Sequence, residues 1–385
     1  MIPVNKPIIS KEAKENVQEA IESGWISSAG KYVDRFEKAF AEYLSIQNAI
    51  AVCNGTAALH VALATLKIGP SDEVIVPAFT MGSTWLSVMY TGAKPVFVDC
   101  EADTLNIDPL LIEQKITKKT KAILPVHIYG HPSDMDPILE IAKNHNLFVV
   151  EDAAEAHGAE YKGRKCGTMG DIGIFSFYAN KIISTGEGGM VVTNNNELAE
   201  RARKLKDLFH SSKKRFIHEE IGFNYRMTNL QAAIGSGEIL HINEYIEKKI
   251  VMAETYETLL RNIPGLITPV TKSYAKNVFW MYGIRIIPEI FGMTKDELRD
   301  FLLKNNVDTR DFFYPPNVQD VLLKTETILP NEKYPESQKA ASTGLYLPSG
   351  LTITNDEIEF VCQQISKARE QAAIRLATNQ ELFVL

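Results

Sequence analysis

The sequence predicts an α/β protein. A large domain is built on a mostly parallel seven-stranded sheet covered by helices, and a smaller C-terminal α+β domain follows. Two observations predict it. Between residues 48 and 195, short apolar runs alternate with amphipathic stretches, and runs without polar alternation read as strands buried on both faces. Strands alternating with helices pair in parallel through helical crossovers. After Pro264 that alternation is lost and separate helices flank one longer strand. We therefore divide the chain into 1–250, with an N-terminal segment before its sheet, and 251–385.

The first five strands are expected at Ala49–Cys53, Glu73–Pro77, Pro95–Asp99, Ala122–Val126 and Leu147–Val150. Helices are expected between them over Ala57–Leu66, Pro109–Ile116 and Pro137–His145. Ile172–Phe177 and Gly189–Thr193 complete the sheet, and Glu197–Lys206 reads as a helix. Leu230, Ile234, Ile239, Ile242, Ile246 and Ile250 lie near one-face spacing, which predicts a long helix from Asn229 to Arg261. Gly235 and Gly237 weaken its first turns. Beyond Pro264, Val278–Ile286 reads as a strand, and Lys295–Asn305 and Asp356–Ala372 as helices.

Composition narrows the function. With 45% apolar and 23% charged residues among 385, the chain has the make-up of an ordinary globular protein. Its net charge of −7 is spread over interspersed acids and bases, so no basic face is offered to nucleic acid. A small anionic substrate would need local cations. Cys53, Cys100, Cys166 and Cys362 are far apart, without C-x-x-C spacing or a histidine cluster, so buried free thiols are expected and no metal site. Free thiols, an N-terminus without the apolar stretch of a signal peptide and the lack of a membrane-length apolar run predict a cytoplasmic protein with no membrane partner.

Ligands of such sheets bind beyond the C-terminal strand ends, where Asn54-Gly55-Thr56 and Glu151-Asp152 fall. Asn54-Gly55-Thr56-Ala57 runs from a strand into a helix, whose free N–H groups and dipole favour a phosphate. A threonine there also caps helices for purely structural reasons. The motif is neither G-x-x-x-x-G-K-[ST] nor G-x-G-x-x-G, which removes the main support for ATP or a dinucleotide. Asp152 could cap a helix, bind a metal or pair with a cation. Lys181 stands between two buried strands, before the turn Thr185-Gly-Glu-Gly-Gly189. A partly desolvated lysine is a nucleophile and then a base. Lysine, carboxylate and phosphate turn together suggest a Schiff base with pyridoxal phosphate, the carboxylate keeping the pyridine nitrogen protonated. Glu155 reaches the ring's edge if its segment turns helically, and His157 would stand behind these groups.

In this order the elements resemble the DegT/StrS-type sugar aminotransferases, fold type I enzymes dependent on pyridoxal phosphate, over nearly the whole chain. Trp25-Ile-Ser-Ser-Ala-Gly-Lys31, Pro125-Val-His-Ile-Tyr-Gly130, Glu151-Asp-Ala-Ala-Glu-Ala156, Gly222-Phe-Asn-Tyr-Arg-Met-Thr-Asn229 and Val278-Phe-Trp-Met-Tyr282 extend the likeness towards members acting on GDP-linked sugars. The resemblance implies that Lys181 carries the coenzyme, Asp152 pairs with the pyridine nitrogen and Glu155 lies near the ring hydroxyl. Gly55, Thr56, Ala57 and Ser176 would hold the phosphate. Asn224 would reach the phosphate of the neighbouring subunit, in a homodimer with shared active sites. Where the family places an aromatic residue against the ring, Met81 follows Thr80 here, a thioether that can still pack on a π-face.

The resemblance further implies L-glutamate as amino donor and C4 of a nucleotide-linked 4-keto-6-deoxy sugar as acceptor. GDP-4-keto-6-deoxymannose comes first, with dTDP- and UDP-linked keto sugars as alternatives. Lys31, Arg226 and Arg310 are candidate cations for the diphosphate, and Trp25, Trp280, Phe313 and Tyr314 candidate walls of a base or sugar pocket. A related branch replaces the lysine with histidine and dehydrates its substrate, so Lys181 favours amino transfer. A ligand sensor on the same fold is opposed by the intact Lys181, Asp152 and Ser176.

Overall fold

The computed structural model describes residues 1–214 and 216–382. Its strands are β1 (Asn48–Val52), β2 (Glu73–Pro77), β3 (Lys94–Val98), β4 (Thr120–Ile123), β5 (Phe148–Asp152), β6 (Glu160–Tyr161), β7 (Arg164–Lys165), β8 (Ile172–Ser176), β9 (Gly189–Thr193), β10 (Leu266–Ile267), β11 (Ala275–Lys276), β12 (Tyr282–Ile286), β13 (Arg310–Asp311) and β14 (Gly344–Leu347). A seven-stranded sheet runs β1-β9-β8-β5-β4-β2-β3. Only β9 is antiparallel to its neighbours, so the expected mostly parallel sheet is present. A second sheet runs β10-β12-β14-β13, all antiparallel.

The helices of the larger part are α1 (Lys11–Glu22), α2 (Lys31–Leu44), α3 (Gly55–Thr65), α4 (Gly82–Tyr90), α5 (Met135–His145), α6 (Asn196–Lys206), α7 (Asn229–Glu238) and α8 (Ile242–Leu260). One face of the large sheet packs on α2 and α3 through residues such as Phe36, Phe40, Leu59, Phe175 and Val191. The other face buries Ile75, Ile123 and Val149 against Ile112, Met135 and Ile138.

Several elements differ from the expectation. α1, α2 and α4 lie outside the expected elements, although Tyr32, Phe36, Phe40 and Leu44 recur every fourth residue and form the buried stripe of α2. The helix expected at 109–116 is two single 3-10 turns, Pro109–Leu111 and Glu113–Lys115. The long helix at 229–261 is interrupted by a 3-10 turn at Ile239–His241. The strand expected from Val278 begins only at Tyr282, because Phe279 is left-handed (φ 46°) and its N–H bonds the Asn277 side chain. The C-terminal helix runs on to Leu382.

Residue 250, the division drawn from the sequence, lies inside α8. Ile242, Tyr245 and Ile246 of this helix belong to the core of the large sheet, whereas Met252, Ala253, Tyr256 and Leu260 pack with the second sheet. The N-terminus crosses over too, Ile2 bridging to Val307. None of the described helices is long and apolar enough to cross a membrane.

Candidate active site

β1, β2, β5 and β8 point the same way, so Asn54, Thr80, Asp152 and Ser176 emerge at one edge of the sheet. A cavity of about 400 Å³ opens there, lined by Gly55, Thr56, Met81, Asp152, Glu155, Ser176 and Lys181 from the large sheet's loops. Trp280, Phe313 and Tyr346 close it from the C-terminal part.

Lys181 follows the end of β8 in a tight turn, its N–H donating to the Tyr178 carbonyl at 2.9 Å. Its Nζ lies 3.8 Å from Glu155 Oε1 and 3.5 Å from the centre of the Trp280 ring. Burial pushes the amine below the ordinary lysine range, against the opposing pull of Glu155 and Asp152. Glu155 is pushed the other way: burial raises it, while the Lys181 charge and the Tyr129 N–H, 2.8 Å from Oε2, lower it. Asp152 is buried at the end of β5. Thr84 donates to its Oδ2 at 3.0 Å and the Ala154 N–H to its Oδ1 at 3.1 Å. Burial raises its carboxyl, and those two bonds, Lys181 and His127 pull it back.

The turn expected to hold a phosphate is the start of α3. Asn54 caps the helix by accepting from the Ala57 N–H at 2.8 Å, so that N–H is taken within the chain. Thr56 donates to Ser83 Oγ at 3.0 Å. A Cβ on Gly55 would come within 2.7 Å of Ser176 Cβ, so only glycine leaves the cradle open. Three hydroxyls and a helix N-terminus thus stand at one end of the cavity and Asp152, Glu155 and Lys181 elsewhere along it. This donor set fits pyridoxal phosphate: an amine for the aldehyde, a braced carboxylate for the pyridine nitrogen, and helix N–H and hydroxyl groups for the phosphate.

The remaining expected residues fall into three places. His157 stands behind the site among Phe40, Phe175 and Phe177, and burial, with the Lys181 charge second, pushes its ring down to about 3, which keeps it neutral. Trp280 and Phe313 face the cavity, whereas Tyr314 bonds Asp311 at 2.9 Å and Arg310 bonds Asp308 at 2.7 Å, outside it. Trp25 and Lys31 line a separate surface cavity, where Lys31 pairs with Glu19. Asn224 lies outside the main cavity of its own chain and accepts from Arg226, which also pairs with Asp207 at 2.7 Å.

Sequence reading missed Thr80, Ser83, Thr84, Tyr178, Asn180 and Tyr346, which also line the cavity. For the first three a signal exists: Thr80-Met-Gly-Ser-Thr84 follows a strand and opens a helix, as Asn54-Gly-Thr56 does. Tyr346 comes from β14, nearly two hundred residues after Asp152, and carries no local signal.

A lysine, a carboxylate and a hydroxyl-lined helix N-terminus at the C-terminal edge of this sheet agree with fold type I, and the likeness to known proteins gives the class, an aminotransferase. The chain belongs to the DegT/DnrJ/EryC1/StrS aminotransferase family, whose sequence profile matches residues 7–366. It is 42% identical over 366 residues to a GDP-perosamine synthase of Escherichia coli O157:H7, covering 95% of this chain and 98% of that one. A GDP-perosamine synthase of Caulobacter vibrioides is 41% identical, over 94% of this chain and 96% of that one. Among solved structures, S. venezuelae DesV in complex with a ketimine intermediate superposes with a TM-score of 0.87 at 36% identity, over 94% of each chain.

Proposed function

We propose that this aminotransferase uses pyridoxal phosphate to move an amino group from L-glutamate to C4 of a GDP-linked 4-keto-6-deoxy sugar, GDP-4-keto-6-deoxymannose in the first place. One observation carries the reaction type: the Lys181 amine, 3.8 Å from Glu155, shares a cavity with Asp152 and the Gly55–Thr56 cradle. The names of the Escherichia coli and Caulobacter relatives support the nucleotide.

The coenzyme supplies an electron sink for the bond-breaking at the amino-bearing carbon. The chain's residues do the rest. Lys181, its charge disfavoured by burial, is the nucleophile that holds the coenzyme and, when free, the base that moves a proton at the substrate carbon. Asp152, fixed by Thr84 and the Ala154 N–H, keeps a proton on the ring nitrogen. Gly55, Thr56 and Ser176 would hold the phosphate, Ala57 having its N–H taken by Asn54, and Glu155 would take the ring hydroxyl. Met81, which lines the cavity, would pack its thioether on the ring face. Trp280 covers the amine, and Phe313 walls the same cavity. Asn224 completes the phosphate site of the partner subunit, so the working unit is a homodimer. The four unpaired cysteines, Cys53 half-buried and the others buried, support a reducing, cytoplasmic setting.

The test is a panel of GDP-, dTDP- and UDP-linked 4-keto sugars with L-glutamate, products weighed by mass spectrometry. We expect amination, with no dehydration product, and highest kcat/KM for the GDP sugar. Lys181→Ala should lose the visible absorbance of lysine-bound coenzyme and more than about a thousandfold in turnover, as loss of a nucleophile that is also the acid–base group requires. Undiminished turnover in Lys181→Ala would end this reading.

A further inference from the structure

Lys249, in α8, is a buried lysine bonded to no carboxylate among the described residues. Its amine donates to the backbone carbonyl of Trp280 at 2.8 Å and to that of Ser349. Burial pushes it down to about 7. An amine taken out of water costs free energy unless its hydrogens find acceptors. The acceptors here are carbonyls just before β12 and just after β14, where strand pairing has stopped. Lys249 therefore ties α8 to both loops.

One of those loops carries Trp280 into the cavity. The residue is buried, and its indole N–H donates to the carbonyl of Asn180, the neighbour of Lys181, at 2.7 Å. Trp280 thus has two fixed points, its own carbonyl and its indole nitrogen. The ring cannot turn away without breaking the second. Its centre lies 3.5 Å from Lys181 Nζ. Glu155 Oε1 is 3.8 Å from the same amine, and the Tyr129 N–H fixes the other oxygen of that carboxylate. Aromatic faces attract ammonium groups, tryptophan most strongly.

We propose that Trp280, braced by Lys249, is the positioning residue that holds the Lys181 amine beside Glu155 whenever that amine is not bonded to coenzyme. The ion pair at 3.8 Å alone leaves a flexible four-carbon stem free to swing away from Glu155. The brace gives it one resting place. This proposal rests on Lys181 being the coenzyme-binding amine.

The experiment is competitive acetylation of the coenzyme-free protein with acetic anhydride, Lys181 being read by mass spectrometry at neutral pH. Losing the ring face in Trp280→Leu should raise Lys181 acetylation about tenfold, since the charged form loses its partner, and Trp280→Phe should fall between. Lys249→Met should move Lys181 in the same direction, with little further effect in the Trp280→Leu background. Acetylation of Lys181 that is unchanged or slowed in Trp280→Leu overturns the proposal. So does a Lys249→Met effect that persists in full in the double variant. Trp280→Phe, which keeps an aromatic core residue, remains a valid comparison if Trp280→Leu does not fold. Because the readout needs neither coenzyme nor turnover, it fails independently of the Lys181→Ala test.

Discussion

Gly55 shows how one absent methyl group keeps a site open. A side chain there would press on Ser176 and fill the cradle at the start of α3. Gly55→Ala should weaken pyridoxal phosphate binding by about tenfold or more, since overpacking costs about 1–3 kcal/mol, while the fold survives. Spectrophotometric titration of coenzyme-free protein checks this, and an unchanged affinity would place the phosphate elsewhere. Gly55, Asp152 and Lys181 were legible because each occupies a strand-to-loop junction in a recognisable run. The contact of Thr84 was not: the run Thr80-Met-Gly-Ser-Thr84 marks a junction, but nothing within the sequence links its hydroxyl to Asp152, 68 positions on and 3.0 Å away.

At the scale of elements, Gly235 and Gly237 reverse their sequence meaning. Their propensity weakens the helix from Asn229, yet α7 forms, capped by Thr228 and Gln231 in a reciprocal capping box. The two glycines are contact points. A Cβ on Gly235 would come within 2.6 Å of the Phe36 ring of α2, and one on Gly237 would collide with the backbone of α1 at Ala13. Gly237→Ala should therefore destabilise by about 1–3 kcal/mol despite the better helix propensity of alanine, to be read from urea unfolding. A gain in stability would show that α1 yields easily. The helix expected at 109–116 failed for the opposite reason. Only Pro109 and Ile112 are well buried there, too little packing to sustain an α-helix that is marginal by itself.

At the scale of the molecule, the cavity belongs to neither core alone. Lys181 and Asp152 come from the large sheet and Trp280, Phe313 and Tyr346 from beyond α8, which contributes to both cores. A homodimer with shared sites predicts complementation. Co-expressed Lys181→Ala and Asn224→Ala chains should form mixed dimers holding one complete site, with turnover above that of either parent. Mixed dimers, isolated by two affinity tags, that are no more active than the parents would confine each site to one chain.

The sequence by itself determined the sheet, the strand ends and the large-sheet residues, Gly55, Asp152 and Lys181 among them, that meet at the cavity, because burial pattern and junction chemistry are local and survive in a string of residues. Tertiary structure alone decided which aromatic covers the lysine, which hydroxyl braces Asp152 and where Asn224, Trp25 and Lys31 stand relative to the cavity. Those contacts join segments far apart in the chain, and only the packing of one core on another brings them within bonding distance.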